Sequence, residues 1–187
     1  MRVRSKTVVH GLSAAMVLAT FMSLASPAPA ATSAATTTTF TLTGGALNIT
    51  APASRDLGSV ATGTATISAQ LGAVTVADTR GALLGSWTAS AAAGSFTTGG
   101  ATTNETIAAA NANYWSGSAT STTGVGSFTP GQTLAANQVS IGSAQTAFSA
   151  AAVVGNNTVA WNPTLVVTIP SAAVTGPYTG TVTHSVA

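Results

Sequence analysis

The stretch "ATISAQLGAVTVADTRGALLGSWTAS", residues 65–90, places apolar or small residues at every second position in three successive runs. The runs are ATISAQL, VTV and SWTAS. Alternation with period two directs successive side chains to opposite faces of an extended backbone, so each run is typical of a half-buried strand. Glycines between the runs favour turns. The stretch therefore predicts three short strands in succession.

The alternation extends over much of the chain on both sides of this stretch. Further runs are FTLT (40–43), LNIT (47–50), TVAW (158–161), TLVVTI (164–169) and YTGTVTHSV (178–186), separated by Gly-Gly, Thr-Pro-Gly, Asn-Pro and Gly-Pro steps. Threonine and valine, which are frequent in these runs, favour strands. The pattern predicts an all-β fold, namely an antiparallel β-sandwich of the immunoglobulin-like or Greek-key type with short strands.

Two segments lack a clear alternation. NETIAAANANY, residues 104–114, contains good helix formers and a potential cap at Asn104, so it could form a short helix or turn. From Ser116 to Ala152, apolar residues are scattered among serine, threonine, alanine and glycine. We expect strands joined by long Ser/Thr/Gly-rich loops there, and at most one short helix in the whole domain.

The first 30 residues have the features of a secretory signal peptide. The basic start MRVRSK precedes an apolar stretch over residues 7–24, and Ala28 and Ala30 then form an A-x-A cleavage pattern. We expect cleavage after Ala30, secretion to the cell exterior and no membrane span in the remaining chain. Residues 31–39, ATSAATTTT, are typical of a flexible leader. The predicted domain then covers residues 40–187.

Few charges follow the predicted signal peptide. Three of the five basic residues precede residue 31. Two arginines remain against three carboxylates, a net charge of −1, carried by Arg55, Asp56, Asp78, Arg80 and Glu105. A surface without lysine cannot neutralise a run of phosphates, so we expect no nucleic-acid partner. The absence of cysteine from the sequence excludes disulfides and thiolate metal sites.

The same inventory argues against catalysis. Beyond residue 30 the sequence has one histidine, His184, and no G-x-S-x-G motif. Asp56 and Asp78 each lie within two residues of an arginine, which favours ion pairing and a low pKa over the raised pKa of a general acid. His184 is in register with the apolar face of the last run, so we expect it to be packed and hydrogen-bonded. No acidic residue has the spacing of a metal ligand, and we predict no enzymatic activity, cofactor or metal.

The three tryptophans are candidate ligand-binding residues. Trp87 follows the Asp78/Arg80 pair, Trp115 lies in a polar stretch, and Trp161 precedes an Asn-Pro step. A tryptophan at a strand end can lay its ring against a sugar face and donate its N–H. For Trp87 and Trp161 the alternative is that they fill the core of the sandwich. Trp115 is expected to be exposed.

Two segments resemble the WxL-domain family of Gram-positive surface proteins. VTVADTRGALLGSW, residues 74–87, is similar to the family's V-x-V-x-D-x-R-G segment followed by G-x-W. VAWNPTLVVTIPSAAVTGPYTGTVTHSV, residues 159–186, looks like its distal tryptophan motif and final strands. The resemblance implies a secreted β-sandwich that associates non-covalently with the cell wall, with peptidoglycan or a wall glycan as ligand. The chain departs from the family at Ala89 and Pro163, where the name-giving motif has leucine.

The Asp78/Arg80 pair has two interpretations. It continues the apolar face of VTV (74–76), so it falls where that face ends in a turn. The pair could form a polar clasp that fixes the approach to Trp87, or it could contact the carboxylates and amides of a wall peptide. We therefore predict a wall-binding module whose ligand-binding residues are Trp87, Trp161, Trp115, Asp78 and Arg80. The alternative is a structural or adhesive surface subunit that assembles with itself or with other surface proteins through strand edges.

Overall fold

The computed structural model describes residues 33–187, and the predicted signal peptide lies outside them. The strands are β1 (Leu47–Thr50), β2 (Thr66–Gln70), β3 (Val74–Asp78), β4 (Leu83–Ala93), β5 (Phe96–Thr97), β6 (Thr106–Ile107), β7 (Ala112–Trp115), β8 (Ala119–Pro130), β9 (Val139–Ser140), β10 (Gln145–Trp161), β11 (Thr164–Thr168) and β12 (Val182–Val186). Three 3-10 helices cover Thr103–Glu105, Ala109–Asn111 and Ala135–Asn137. The all-β prediction is confirmed. Within residues 33–187, no helix has the length and apolar character needed to cross a membrane.

Strand β10 is the central strand of the larger sheet. This sheet has the order β1-β3-β10-β4-β12, and β8 also pairs with β10. Ala150 of β10 pairs with both Trp87 of β4 and Phe128 of β8, so β4 and β8 lie on opposite sides of β10. β3 pairs with the later part of β10, next to β4. A second sheet has the order β2-β11-β7-β9, β5 pairs with β6, and all these pairings are antiparallel.

The two larger sheets share one apolar core. Val74 and Val76 on β3 are fully buried, and the residues next to them are more exposed. Leu165 and Val167 on β11 belong to the same core cluster. Full burial of an aliphatic side chain contributes about 1.5–3 kcal/mol. The period-two pattern of the sequence therefore supplies the apolar faces that hold the two sheets of this β-sandwich together.

The first and last predicted strands differ from the structure. Residues 40–43 do not form a strand, and residues 33–39 are exposed without regular structure. Alternation gives a segment two faces but cannot give it a pairing partner, and FTLT has none here. The last strand begins at Val182 instead of Tyr178, because Thr179 makes only an isolated bridge with Thr97.

The middle of the chain contains more strand than we expected. Strands β8 and β10 have 12 and 17 residues and occupy most of residues 116–152. Their pairing has register shifts, which interrupt the alternation that would identify a long strand in the sequence. Two 3-10 helices overlap residues 104–114, and the first, Thr103–Glu105, is capped at Thr102 instead of Asn104. The Glu105 carboxylate accepts the backbone N–H of Thr102 at 3.0 Å.

Candidate functional site

Asp78 and Arg80 form an ion pair at the end of strand β3. The alternation of β3 directs Asp78 inward after Val74 and Val76, and its side chain is 1% exposed. Arg80 turns back towards it: Nε donates to Oδ1 at 2.9 Å and Nη2 donates to Oδ2 at 3.0 Å. The backbone N–H of Arg80 also donates to Oδ1, at 3.1 Å. The carboxylate is therefore held by three donors of one residue.

The ion pair extends into a network that joins three strands. Asn157 of β10 donates from Nδ2 to Asp78 Oδ2 at 3.3 Å, and its Oδ1 accepts the indole N–H of Trp87 at 3.0 Å. Arg80 Nη2 also donates to the backbone carbonyl of Ser86, at 2.9 Å, just before Trp87. The clasp interpretation is confirmed, because the pair binds the backbone before Trp87 and connects to its side chain through Asn157. Asn157 was not among the candidate residues predicted from the sequence.

The electrostatics of the pair favour its charged form. Hydrogen bonds from Arg80 hold the pKa of Asp78 below its usual value, against the opposing effect of burial. The hydrogen bond to Asp78 in turn raises the pKa of Arg80. A carboxylate with a lowered pKa stays ionised at neutral pH. Asp78 is therefore suited to hold a cation or a donor and is not suited to give up a proton as a general acid.

Arg80 also lines an open cavity of about 170 Å³. The cavity is lined by Leu42, Thr43, Gly44, Thr79, Arg80, Gly81 and Asn156. The Arg80 side chain is 37% exposed. Its Nε and Nη2 are engaged by the clasp, whereas Nη1 donates no hydrogen bond to any residue in the described part of the chain. Two N–H groups of a fixed guanidinium are thus available for an acceptor such as a carboxylate or an amide carbonyl.

Trp87 and Trp161 lie in the core, as the alternative in the sequence analysis proposed. Trp87 is 2% exposed and Trp161 is fully buried. The Trp161 ring stacks on Phe148 with centroids 5.0 Å apart, and its N–H donates to the Tyr114 hydroxyl at 3.1 Å. Rings without an exposed face cannot stack on a sugar. We expected these two rings to contact a glycan, but in this fold neither ring is accessible for such a contact.

Trp115 does not form an aromatic platform with the other two rings. It follows the buried Tyr114 on β7, so it points to the opposite face of that strand, and it is half-buried instead of exposed as predicted. The structure brings Asp78, Arg80 and Trp87 together through the network. It does not bring Trp115 or Trp161 to the same place.

His184 is packed and hydrogen-bonded, as the sequence predicted. Its Nε2 lies 3.3 Å from the Tyr114 hydroxyl, and the two rings are 5.8 Å apart. Burial lowers the pKa of His184 to about 4 and raises the pKa of Tyr114. The histidine is therefore neutral at pH 7. It forms a chain of polar contacts with Tyr114 and Trp161 inside the sandwich.

The remaining acidic side chains serve local backbone structure. The expected ion pair at Asp56 is absent within residues 33–187: Asp56 Oδ1 accepts the N–H of Gly58 at 2.8 Å instead. A two-residue turn satisfies this carboxylate without the neighbouring Arg55. Glu105 is engaged by Thr102. Among the described residues, no three histidine, cysteine, aspartate or glutamate side chains lie close enough to hold a metal ion.

Comparisons of the chain with protein-family models, with curated proteins and with solved structures gave no match. The likeness to the WxL-domain family therefore depends on the two motif segments quoted above. Function has to be argued from the geometry of the site.

Proposed function

We propose that the protein is a secreted, non-catalytic module that attaches non-covalently to the cell wall, with peptidoglycan or a wall glycan as its ligand. The observation that carries this proposal is the fixed guanidinium of Arg80 beside an open cavity. The motif segment that resembles the wall-binding family contains the same residue. The proposed contact surface is the cavity lined by Thr43, Arg80 and Asn156.

The clasp prepares Arg80 for binding before any ligand arrives. Ordering a long side chain on binding costs about 0.5–1.5 kcal/mol. Arg80 is already held by Asp78 and by the Ser86 carbonyl, so most of this cost does not arise when a ligand binds. Its Nη1 edge can then donate to an acceptor with little loss of entropy.

The chemistry of the cavity fits the polar groups of a wall polymer. Stem peptides carry amides and carboxylates, and glycan strands carry hydroxyl and acetamido groups. Arg80 and Asn156 offer hydrogen-bond donors, and the exposed Leu42 offers an apolar contact. Because Asp78 neutralises Arg80, binding would depend on hydrogen bonds more than on net charge. We therefore expect retention on the wall to change little between low and moderate salt.

Retention on purified wall sacculi tests this function. Thr43→Trp should fill the cavity and cover Arg80 while leaving the hydrogen bonds of the clasp in place, because Thr43 is exposed and takes no part in the hydrogen bonds of Asp78. The matched control is Thr62→Trp, an exposed turn residue that does not line the cavity. We expect Thr43→Trp to lose retention about tenfold and Thr62→Trp to behave as wild type. Wild-type protein that fails to bind sacculi would refute the function, and equal retention of both variants would refute the site.

A second candidate function, assembly through a strand edge, is favoured by strand β8. This 12-residue strand carries no charge, and in the described chain it pairs only with β10. Its residues 120–127 are all exposed. A long edge without charged residues is a template for another strand.

An apolar row reaches this edge from the interior of the sheet. Leu83, Val154 and Val125 are paired across β4, β10 and β8, and they are 79, 42 and 66% exposed. Sedimentation of Thr122→Lys tests assembly, because a lysine on the edge opposes pairing. The control Thr88→Lys places the same charge on an exposed residue of the interior strand β4. Assembly predicts that the mass of wild type and control rises with concentration and that Thr122→Lys stays monomeric; monomers throughout would exclude it.

A further inference from the structure

A second cavity lies between the two larger sheets. Its volume is about 180 Å³. Val182 and His184 of β12 contribute from the larger sheet, and Leu165 of β11 contributes from the smaller one. Leu71 and Phe96 add further apolar surface. The wall of this cavity therefore combines apolar side chains with one imidazole.

The rim of this cavity is a chain segment that is held at both ends. Residues 51–57 follow β1 of the larger sheet and lead towards β2 of the smaller one. Pro52 packs so closely on Gly72 that a Cβ at position 72 would lie 2.7 Å from its Cγ. Leu57 packs against the core. Arg55 lies between these two anchors and lines the cavity.

Arg55 is the only charged residue among those that line this cavity. It makes no ion pair or side-chain hydrogen bond with the residues that the structure describes. Asp56 does not line the cavity, and its carboxylate is engaged by Gly58. His184 is neutral at pH 7 because burial lowers its pKa to about 4. The guanidinium of Arg55 therefore has no ion-paired or hydrogen-bonded side-chain partner among the described residues, unlike that of Arg80, which Asp78 holds.

We propose that this cavity binds a carboxylate that carries a small aliphatic group, such as the C-terminal residue of a short peptide. Arg55 recognises the carboxylate, since a guanidinium presents paired donors that match its two oxygens. The aliphatic group contacts Leu71 and Val182 inside the cavity. This site is separate from the wall contact proposed at Arg80 and does not depend on it.

Titration of the purified protein with N-acetyl-alanine tests the proposal, with nuclear magnetic resonance of the His184 imidazole and the Val182 amide as the readout. N-acetyl-alaninamide is the matched probe, because it has the same shape without the charge. We expect saturable shifts at both residues with the acid and an affinity about tenfold lower with the amide. Equal affinity for the two probes, or no saturable shift at His184 with the acid, would overturn the proposal.

Variants of the rim separate charge recognition from simple filling of the cavity. Arg55→Gln should weaken binding of N-acetyl-alanine about tenfold, and Arg55→Lys should retain part of it. Asp56→Asn is the control, because it changes the neighbouring charge without changing the lining. Arg55 is exposed, so folding should be unaffected, which the amide spectrum of each variant verifies. Wild-type affinity in Arg55→Gln would assign binding to another site. Loss of wall retention in Arg55→Gln but not in Thr43→Trp would move the wall contact to this cavity.

Discussion

Replacement of Asp78 by asparagine should destabilise the protein by about 2–3 kcal/mol at pH 7. The asparagine side chain would keep the shape of the aspartate, but only its single oxygen could accept from Arg80, and its NH2 group would face donors where the second carboxylate oxygen now accepts. A hydrogen bond to a charged group contributes about 1.5–3 kcal/mol, and the clasp has two from the guanidinium. We take a value below their sum because Arg80 is partly exposed and recovers solvation when its partner is lost. For a domain of this size the change corresponds to a melting temperature lower by about 4–12 °C.

The pH dependence of this difference identifies its cause. The pKa of an aspartate in the unfolded chain is about 3.9. In the folded protein the pKa of Asp78 is lower. The stabilisation by the carboxylate is therefore complete above about pH 4 and is lost as the pH falls through the folded pKa. Denaturant unfolding of wild type and Asp78→Asn between pH 3 and pH 8 measures it. The difference in the free energy of unfolding between wild type and Asp78→Asn should be constant from about pH 5 upwards and should become smaller below about pH 4.

A double-mutant cycle shows whether the loss comes from the ion pair. Arg80→Gln alone, Asp78→Asn alone and the double variant should give a coupling energy of about 1–2 kcal/mol, because the two side chains are in direct contact. A coupling near zero would contradict the clasp. So would a gap between wild type and Asp78→Asn that is below about 0.5 kcal/mol at pH 7, or one that is the same at pH 3 as at pH 7.

Three further predictions concern close contacts inside the sandwich and between its strands. Trp161→Phe should cost about 1–3 kcal/mol in denaturant unfolding, because it leaves the Tyr114 hydroxyl without its indole donor. The pKa of His184, measured by nuclear magnetic resonance, should be about 4. Because this folded pKa is lower than that of the unfolded chain, the free energy of unfolding should fall as the pH decreases from about 6.5 to about 4. His184→Gln should remove this pH dependence. Gly131→Ala should lower the melting temperature through a cost of about 1–3 kcal/mol, because a Cβ there would clash with the Thr146 carbonyl oxygen.

The sequence predicts a strand best where one face of the strand is buried and the other is more exposed. Strand β3 has buried residues at alternate positions, and the same period is visible in VTVAD. Strand β8 lacks this period, because most of it is exposed on both faces and no alternating burial selects its residues. Register shifts against β10 disturb the pattern further. Local pattern therefore finds strands that are buried on one face and misses an edge strand that the second sheet does not cover.

The sequence predicts the part of the candidate site that is local in the chain and misses the part that depends on strand pairing. Asp78 and Arg80 are two residues apart, so their pairing is visible in the sequence. Asn157 is 79 residues from Asp78 and 70 residues from Trp87, and only the pairing of β10 with β3 brings it to them. A signal for it does exist, because Asn157 precedes Val159 and Trp161 at the same period of two. The burial of Trp87 depends on how the second sheet packs over it, and the residue pattern of one strand carries no information about that packing.

The scarcity of charge makes each charged residue informative. Asp78 and Arg80 neutralise each other, and Asp56 accepts the N–H of Gly58. Glu105 closes the turn at residues 102–105. Within the described chain, Arg55 is the charged residue that these local roles leave over, and it lines the cavity between the two sheets. Because Arg55 lines this cavity and takes part in none of these local contacts, Arg55→Gln tests the proposed carboxylate site without removing a contact that holds the fold.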